Sequence, residues 1–155
     1  GTMIALLLEG EPIFGCINFP ALGKRISSDG HSTFVNGDPV KAKSDKPLNE
    51  ALLLTTDYSE VAKRQNGQAF EELVSKTKIT RTWGDCYGYM MVATGRAEVM
   101  IDPILNVWDA AALLPVLQEA GGTYTDWQGR PTIHAGEGLA TNGRIHDELL
   151  GVLRG

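Results

Sequence analysis

Hydrophobic and polar positions alternate or cluster in short runs over the first third of the chain. Residues 2–8 (TMIALLL) and 11–18 (EPIFGCIN) are apolar runs separated by Glu9-Gly10, where glycine supplies a turn that other residues resist. Pro20 and Gly23 close the second run. Residues 32–35 and 39–43 flank Asn36-Gly37, a strong hairpin signal between extended segments. The pattern predicts four antiparallel strands within residues 1–43 and no helix among them.

Residues 44–50 (SDKPLNE) are polar, carry Pro47 and read as a linker. Beyond them the period changes. A buried strand is expected at 51–55, then an amphipathic helix over 59–75 broken near Asn66-Gly67, with Val61, Ala62, Ala69, Phe70, Leu73 and Val74 on its apolar side. Strands at 78–82 and 97–101 alternate with helices at 85–94 and 109–120. Gly95 and Gly121-Gly122 stop these helices, and Pro115 should bend the second. Short strands at 123–127 and 138–140 precede a last helix at 144–153. Strands first, then alternating strands and helices, give a mixed α/β chain. Its expected division is an antiparallel sheet portion over 1–50 and an α/β portion over 51–155.

Composition narrows the function classes. The 155 residues are 43% hydrophobic and 21% charged, with a net charge of −5, which is globular and acidic. Such a chain without a basic block is a poor partner for nucleic acid or an anionic membrane. The longest apolar run, Met3 to Leu8, is far too short to span a bilayer. Two cysteines, Cys16 and Cys86, make neither a disulfide framework nor a Cys-rich zinc site, so a reducing cytoplasm is the expected location. The chain opens without Met inside a strand pattern, so a piece of a longer protein is expected.

Candidate chemistry is densest over 81–109. Asp85 and Asp109 fall at predicted helix starts, and Asp102 at a strand end. Capping is the ordinary role of an aspartate at a helix start, because its oxygen accepts a first-turn N–H. The alternative is a site. Helix N-termini suit phosphate, and a carboxylate beside one can hold a hard cation that bridges to phosphate oxygens. Composition and spacing leave both readings open. His31, His134 and His146 are scattered among polar and turn residues without ligand spacing, and solvated surface positions are expected for them. Cys86, beside Asp85, is expected to be an inert thiol, since a neighbouring carboxylate raises its pKa.

The run Asn106-Val107-Trp108-Asp109-Ala110-Ala111, continuing through Glu119-Ala120-Gly121-Gly122, resembles the C-terminal signature of the inositol monophosphatase family, W-D-x-A-A…E-A-G-G. Arg81-Thr82-Trp83-Gly84-Asp85-Cys86-Tyr87 is similar to the branch that includes bacterial histidinol-phosphate phosphatases. Phe19-Pro20-Ala21-Leu22-Gly23, Ala93-Thr94-Gly95 and Thr141-Asn142-Gly143 agree with it. The resemblance implies the layered fold of that family and hydrolysis of a small phosphorylated alcohol with Mg²⁺. It implies that Asp109 ligates the metal and orients the attacking water, and that Asp102 contacts the substrate. Gly84, Asp85 and Cys86 then form the loop that meets the organic part of the substrate. Asn106 is implied to touch substrate, and Trp108 to pack.

The family's first acidic motif, D-P-I/L-D-G-T, is not among these residues. The resemblance covers the C-terminal portion of a family member. Weak metal binding and little turnover are therefore expected of the 155-residue chain alone. The alternatives are an inositol-1-phosphate phosphatase or a non-catalytic piece that keeps the fold. Strands of 1–43 that lack a cover leave an apolar face open, so homodimerisation through that face is a further expectation.

Overall fold

The computed structural model describes residues 1–155 and contains two five-stranded sheets. The first is an antiparallel meander of β1 (Thr2–Leu8), β2 (Glu11–Phe19), β3 (Lys24–Ser28), β4 (Thr33–Val35) and β5 (Asp38–Val40), in that spatial order. The β1–β2 and β4–β5 turns each place two residues at positive φ, Glu9 with Gly10 and Asn36 with Gly37. Both central residues at positive φ is the turn whose twist matches the flanking strands.

The expected count of four strands is corrected to five. The missed strand, β3, carries only Ile26 as an apolar inward residue. Its other inward position is Ser28, whose hydroxyl accepts the Gly15 N–H at 2.9 Å. A polar inward residue satisfied in this way breaks the apolar alternation on which the sequence reading relied. Residues 1–43, expected to hold no helix, also contain one 3-10 turn, Pro20–Leu22.

Residues 44–50 are not a free linker. They contain a 3-10 turn, Leu48–Glu50, with Leu48 buried. Glu98, fully buried, ties the segment down: it accepts from the Ser44 hydroxyl at 2.9 Å, Lys46 Nζ at 3.0 Å and the Leu52 N–H at 2.7 Å.

The second sheet has the order β7-β6-β8-β10-β9. Its strands are β6 (Leu52–Thr55), β7 (Ile79–Thr82), β8 (Val99–Asp102), β9 (Thr123–Thr125) and β10 (Gly138–Thr141). β6 pairs in parallel with β7 and β8, while β10 runs antiparallel to β8 and β9. Between them come α1 (Tyr58–Arg64), α2 (Gly67–Lys76), α3 (Asp85–Ala93), α4 (Val107–Ala110) and α5 (Leu113–Glu119), and α6 (His146–Arg154) ends the chain. Asp57 and Asn66 cap α1 and α2 through their side chains, which explains the break at Asn66-Gly67.

The single helix expected over 109–120 is two helices. α4 begins at Val107, and the chain breaks at Ala111-Ala112 before α5. Pro115 is the third residue of α5, in the first turn, where no intrahelical N–H is needed. Its ring would clash with the carbonyl four residues back, at Ala111, and that is where α4 gives way.

Side-chain alternation sends the second sheet into two cores. Leu54, Met100 and Ala140 face α3, α5 and the inner residues Ile17 and Ile26 of the first sheet. Leu53, Val99, Ile101 and Leu139 face Val61 of α1, Phe70 and Leu73 of α2, and Leu149 and Leu153 of α6. The layers run sheet, helices, sheet, helices. Gly15 allows the closest approach between the first sheet and the middle helices: a Cβ there would collide with the Ala112 carbonyl oxygen. The outer face of the first sheet is uncovered, with Ile4 62% and Leu6 57% exposed.

Candidate active site

β6 and β8 end side by side, and the segments leaving their carboxyl ends open a cavity of about 360 Å³. Crevices outside the carboxyl ends of parallel strands are the usual ligand sites of α/β sheets. Asp57, Glu60, Asp85, Asp102 and Asp109 line this one together with Cys86, Thr56 and Tyr89, and no Lys, Arg or His does. Of the residues singled out from sequence, Asp85, Cys86, Asp102 and Asp109 are thus brought together. Gly84 and Asn106 are not among the lining residues. Each stands next to one in the chain or as its cap.

Asp102 ends β8 and is 2% exposed. Its Oδ1 accepts the Thr56 N–H at 2.8 Å. Burial pushes its carboxyl up, and the hydrogen bonds from Thr56 oppose that shift. The Asp85 N–H in turn donates to Thr56 Oγ1 at 3.0 Å. Asp85 has φ +49°, a left-handed conformation that aspartate tolerates better than most residues. Gly84 precedes it as the N-cap of α3. Thr56 therefore holds both the strand-end acid and the first residue of α3.

Asp109 does not open its helix. It is the third residue of α4, and Asn106 is the N-cap. Its Oδ2 accepts from the Asn106 N–H at 3.0 Å and from Asn106 Nδ2 at 3.1 Å, closing a capping box. Capping thus occupies one oxygen, and Oδ1 is left without a hydrogen-bond partner. Trp108 does not pack as expected; it is 74% exposed. Cys86 is buried, and burial pushes its thiol up, in keeping with an inert role.

Four lining residues were missed from sequence: Thr56, Asp57, Glu60 and Tyr89. The signal for the first three was positional, since they follow directly after a buried strand. Asp57 is held below its ordinary value by the Ser59 hydroxyl and N–H, and Glu60 by Lys63 at 2.6 Å and Arg64 at 3.1 Å. Tyr89 had no local signal, because a tyrosine in an apolar helix reads as core.

No three acidic, His or Cys side chains stand close enough together to cage a metal ion. Mg²⁺ keeps several waters and is commonly held through one or two carboxylates plus substrate phosphate. A free carboxylate oxygen on Asp109, in a cavity rimmed by acids, fits that partial role. It does not make a complete protein site.

His146 departs from the surface position expected for it. It is 6% exposed at the start of α6, against β9 and β10, with Nε2 3.2 Å from Thr125 Oγ1 and Nδ1 3.1 Å from Thr141 Oγ1. Burial pulls its value down. His31 and His134 are exposed.

The layered fold and the acid-lined cavity at the strand ends agree with a family match: the profile of the inositol monophosphatase family covers residues 1–154, and the chain belongs to that family. Among curated relatives, it is 40% identical over 142 residues to the histidinol-phosphatase of Chlorobaculum parvum, covering 91% of this chain and 55% of that protein. It is 36% identical to the histidinol-phosphatase of Streptomyces coelicolor, covering 98% of this chain and 61% of that one. The solved inositol monophosphatase of Zymomonas mobilis superposes with a TM-score of 0.90 at 31% identity, over 98% of this chain and 61% of that one. The chain therefore spans 55–61% of the length of these relatives.

Proposed function

We propose that this chain forms the substrate side and one metal-ligating edge of a phosphomonoester hydrolase whose substrate is histidinol phosphate, acting in the cytoplasm. The observation that carries the reading is the gathering of Asp85, Asp102 and Asp109 in one cavity that no cationic side chain lines. A phosphate dianion entering such a cavity meets a cluster of carboxylates and needs a cation beside it. The identities of 40% and 36% to histidinol-phosphatases support the choice of alcohol.

In this reading Asp109 would hold Mg²⁺, since the capping box occupies Oδ2 and leaves its other oxygen free. A bound divalent ion neutralises phosphate charge and lowers the pKa of a bound water. Asp85 accepts a hydrogen bond from the amine or imidazole of the alcohol. Its φ of +49° and its bond to Thr56 keep the side chain on the cavity rim. Asp102 orients the alcohol from the cavity floor. The unpaired thiols Cys16 and Cys86 suit a reducing compartment. No helix is long and apolar enough to cross a membrane. The uncovered outer face of the first sheet supports pairing of the chain with a second copy of itself.

The test is phosphate release from L-histidinol phosphate and from inositol 1-phosphate, with and without Mg²⁺. It is run on the 155-residue chain and on the same chain fused behind the upstream segment of the Chlorobaculum parvum histidinol-phosphatase. The expected result is little turnover by the chain alone and Mg²⁺-dependent turnover by the fusion, with histidinol phosphate preferred. Equal use of both substrates by the fusion would overturn the substrate assignment. A fusion that is folded and inactive on both would overturn the enzyme reading.

A further inference from the structure

One polar atom in the cavity is left unused by that chemistry. Tyr89, on α3, is 1% exposed and lines the cavity, yet its hydroxyl has no hydrogen-bond partner. It stands close enough to the Asp102 carboxylate to favour its charged form, yet outside the geometry of a hydrogen bond. Buried polar groups are almost always bonded, so an orphan among them calls for a reason. A ligand that completes the bond is one such reason.

Tyr124, on β9, is also fully buried with an unpaired hydroxyl. It does not line the cavity. A Cβ on Gly138 would collide with both its hydroxyl and the Leu105 side chain, so the space around it is already filled. Of the two orphan phenols, only Tyr89 lines the cavity that holds the three aspartates.

The chemistry available at this point is specific. Asp102 Oδ1 is taken by the Thr56 N–H, which leaves Oδ2 as an acceptor. The phenol beside it both donates and accepts. A ligand that reaches this corner must bring a hydrogen-bonding group of its own. A hydrocarbon placed there would leave the phenol unpaired and a carboxylate desolvated. Sites built to hydrogen-bond a substrate group discriminate strongly against analogues that lack it.

Resting on the phosphatase reading above, we propose that Tyr89 is a specificity-determining residue whose hydroxyl, together with Asp102, binds the polar organic part of the substrate alcohol. The ligand class is an alcohol that carries a second hydrogen-bonding group, an imidazole or a further hydroxyl.

The test is binding to the 155-residue chain, which needs no turnover. L-histidinol and myo-inositol are titrated into protein labelled with ¹³C at tyrosine, and dissociation constants are measured for the wild type and Tyr89→Phe. Inorganic phosphate with Mg²⁺ is the control ligand. The expected result is movement of the Tyr89 ring signals with one of the two alcohols. Loss of that single hydrogen bond in Tyr89→Phe weakens the same alcohol about tenfold and leaves phosphate binding unchanged. A response to histidinol assigns the imidazole, and a response to inositol assigns the hydroxyl; either supports the inference. Tyr89 signals that stay still with both alcohols overturn it, as does an equal weakening of alcohol and phosphate in Tyr89→Phe. If Tyr89→Phe does not fold, the wild-type titration decides alone. Movement of Tyr89 with histidinol in a chain whose fusion releases no phosphate would sink the enzyme reading and leave this one standing.

Discussion

The Thr56 N–H donates to Asp102 Oδ1 across 2.8 Å, so the chain leaving β6 holds the carboxylate at the end of β8. Removing that acceptor orphans a backbone donor inside the cavity wall. Asp102→Ala is expected to cost about 1–3 kcal/mol. Asp102→Asn keeps an acceptor oxygen and is expected to cost less, while weakening alcohol binding. Urea unfolding and a histidinol titration measure the two effects separately.

Asp109 serves two ends through its two oxygens. Asp109→Ala removes the capping box of α4, for about 1 kcal/mol of stability. It also removes the proposed metal ligand. In the fusion protein, Mg²⁺-dependent phosphate release is expected to fall at least a hundredfold. Asp109→Asn, whose single oxygen can take the capping place of Oδ2 and leave an amide NH2 at the proposed metal position, is expected to keep most of the thermal midpoint and little of the turnover. A variant that keeps full activity would remove Asp109 from the metal site.

Glu98 is a structural carboxylate far from the cavity. Glu98→Ala leaves the Leu52 N–H and the Ser44 hydroxyl without their partner. A loss of about 1–3 kcal/mol is expected. Lys46 is half exposed and turns to water, so its ion pair adds little. Proteolysis within residues 44–50 should quicken in the variant, since that segment loses its anchor.

His146 gives a pH dependence with a definite sign. Burial lowers its folded value below the ordinary 6.5, so the unfolded chain binds the proton more readily. Its contribution to stability is fully present above pH 6.5 and is lost as pH falls below that value. The thermal midpoint is expected to drop between pH 7.5 and 5.5, and His146→Gln to flatten that slope. Asp102, raised by burial, acts in the opposite sense and closer to its own ordinary value of 3.8.

The outer face of the first sheet supplies the last prediction. Ile4 and Leu6 project from β1, which is also an edge strand. Sedimentation of the 155-residue chain is expected to show a concentration-dependent dimer, and Leu6→Lys to shift it toward monomer. A monodisperse wild-type monomer would remove the proposed pairing.

Local rules made much of this molecule readable. Asn36-Gly37 and Glu9-Gly10 mark their turns because both require positive φ, which depends on the residues themselves. The W-D-x-A-A run located Asp109 in a family pattern. What stayed hidden depends on distant partners. Ser28 became an inward strand residue because Gly15 offers its N–H. His146 became buried because two threonine hydroxyls from β9 and β10 meet its ring. Tyr89 joined the cavity because α3 is carried over the end of β8. None of these pairings has a spacing that a single chain reveals.

The bare backbone at Gly15 has a reach that its position conceals. It lets the outer layer rest directly against the residue before α5, one short step along the chain from Asp109. The alignment of that acid is thus set from behind, by a strand residue that does not itself line the cavity. Variants that lose turnover while keeping an intact spectrum should map to this hidden seam as well as to the cavity rim.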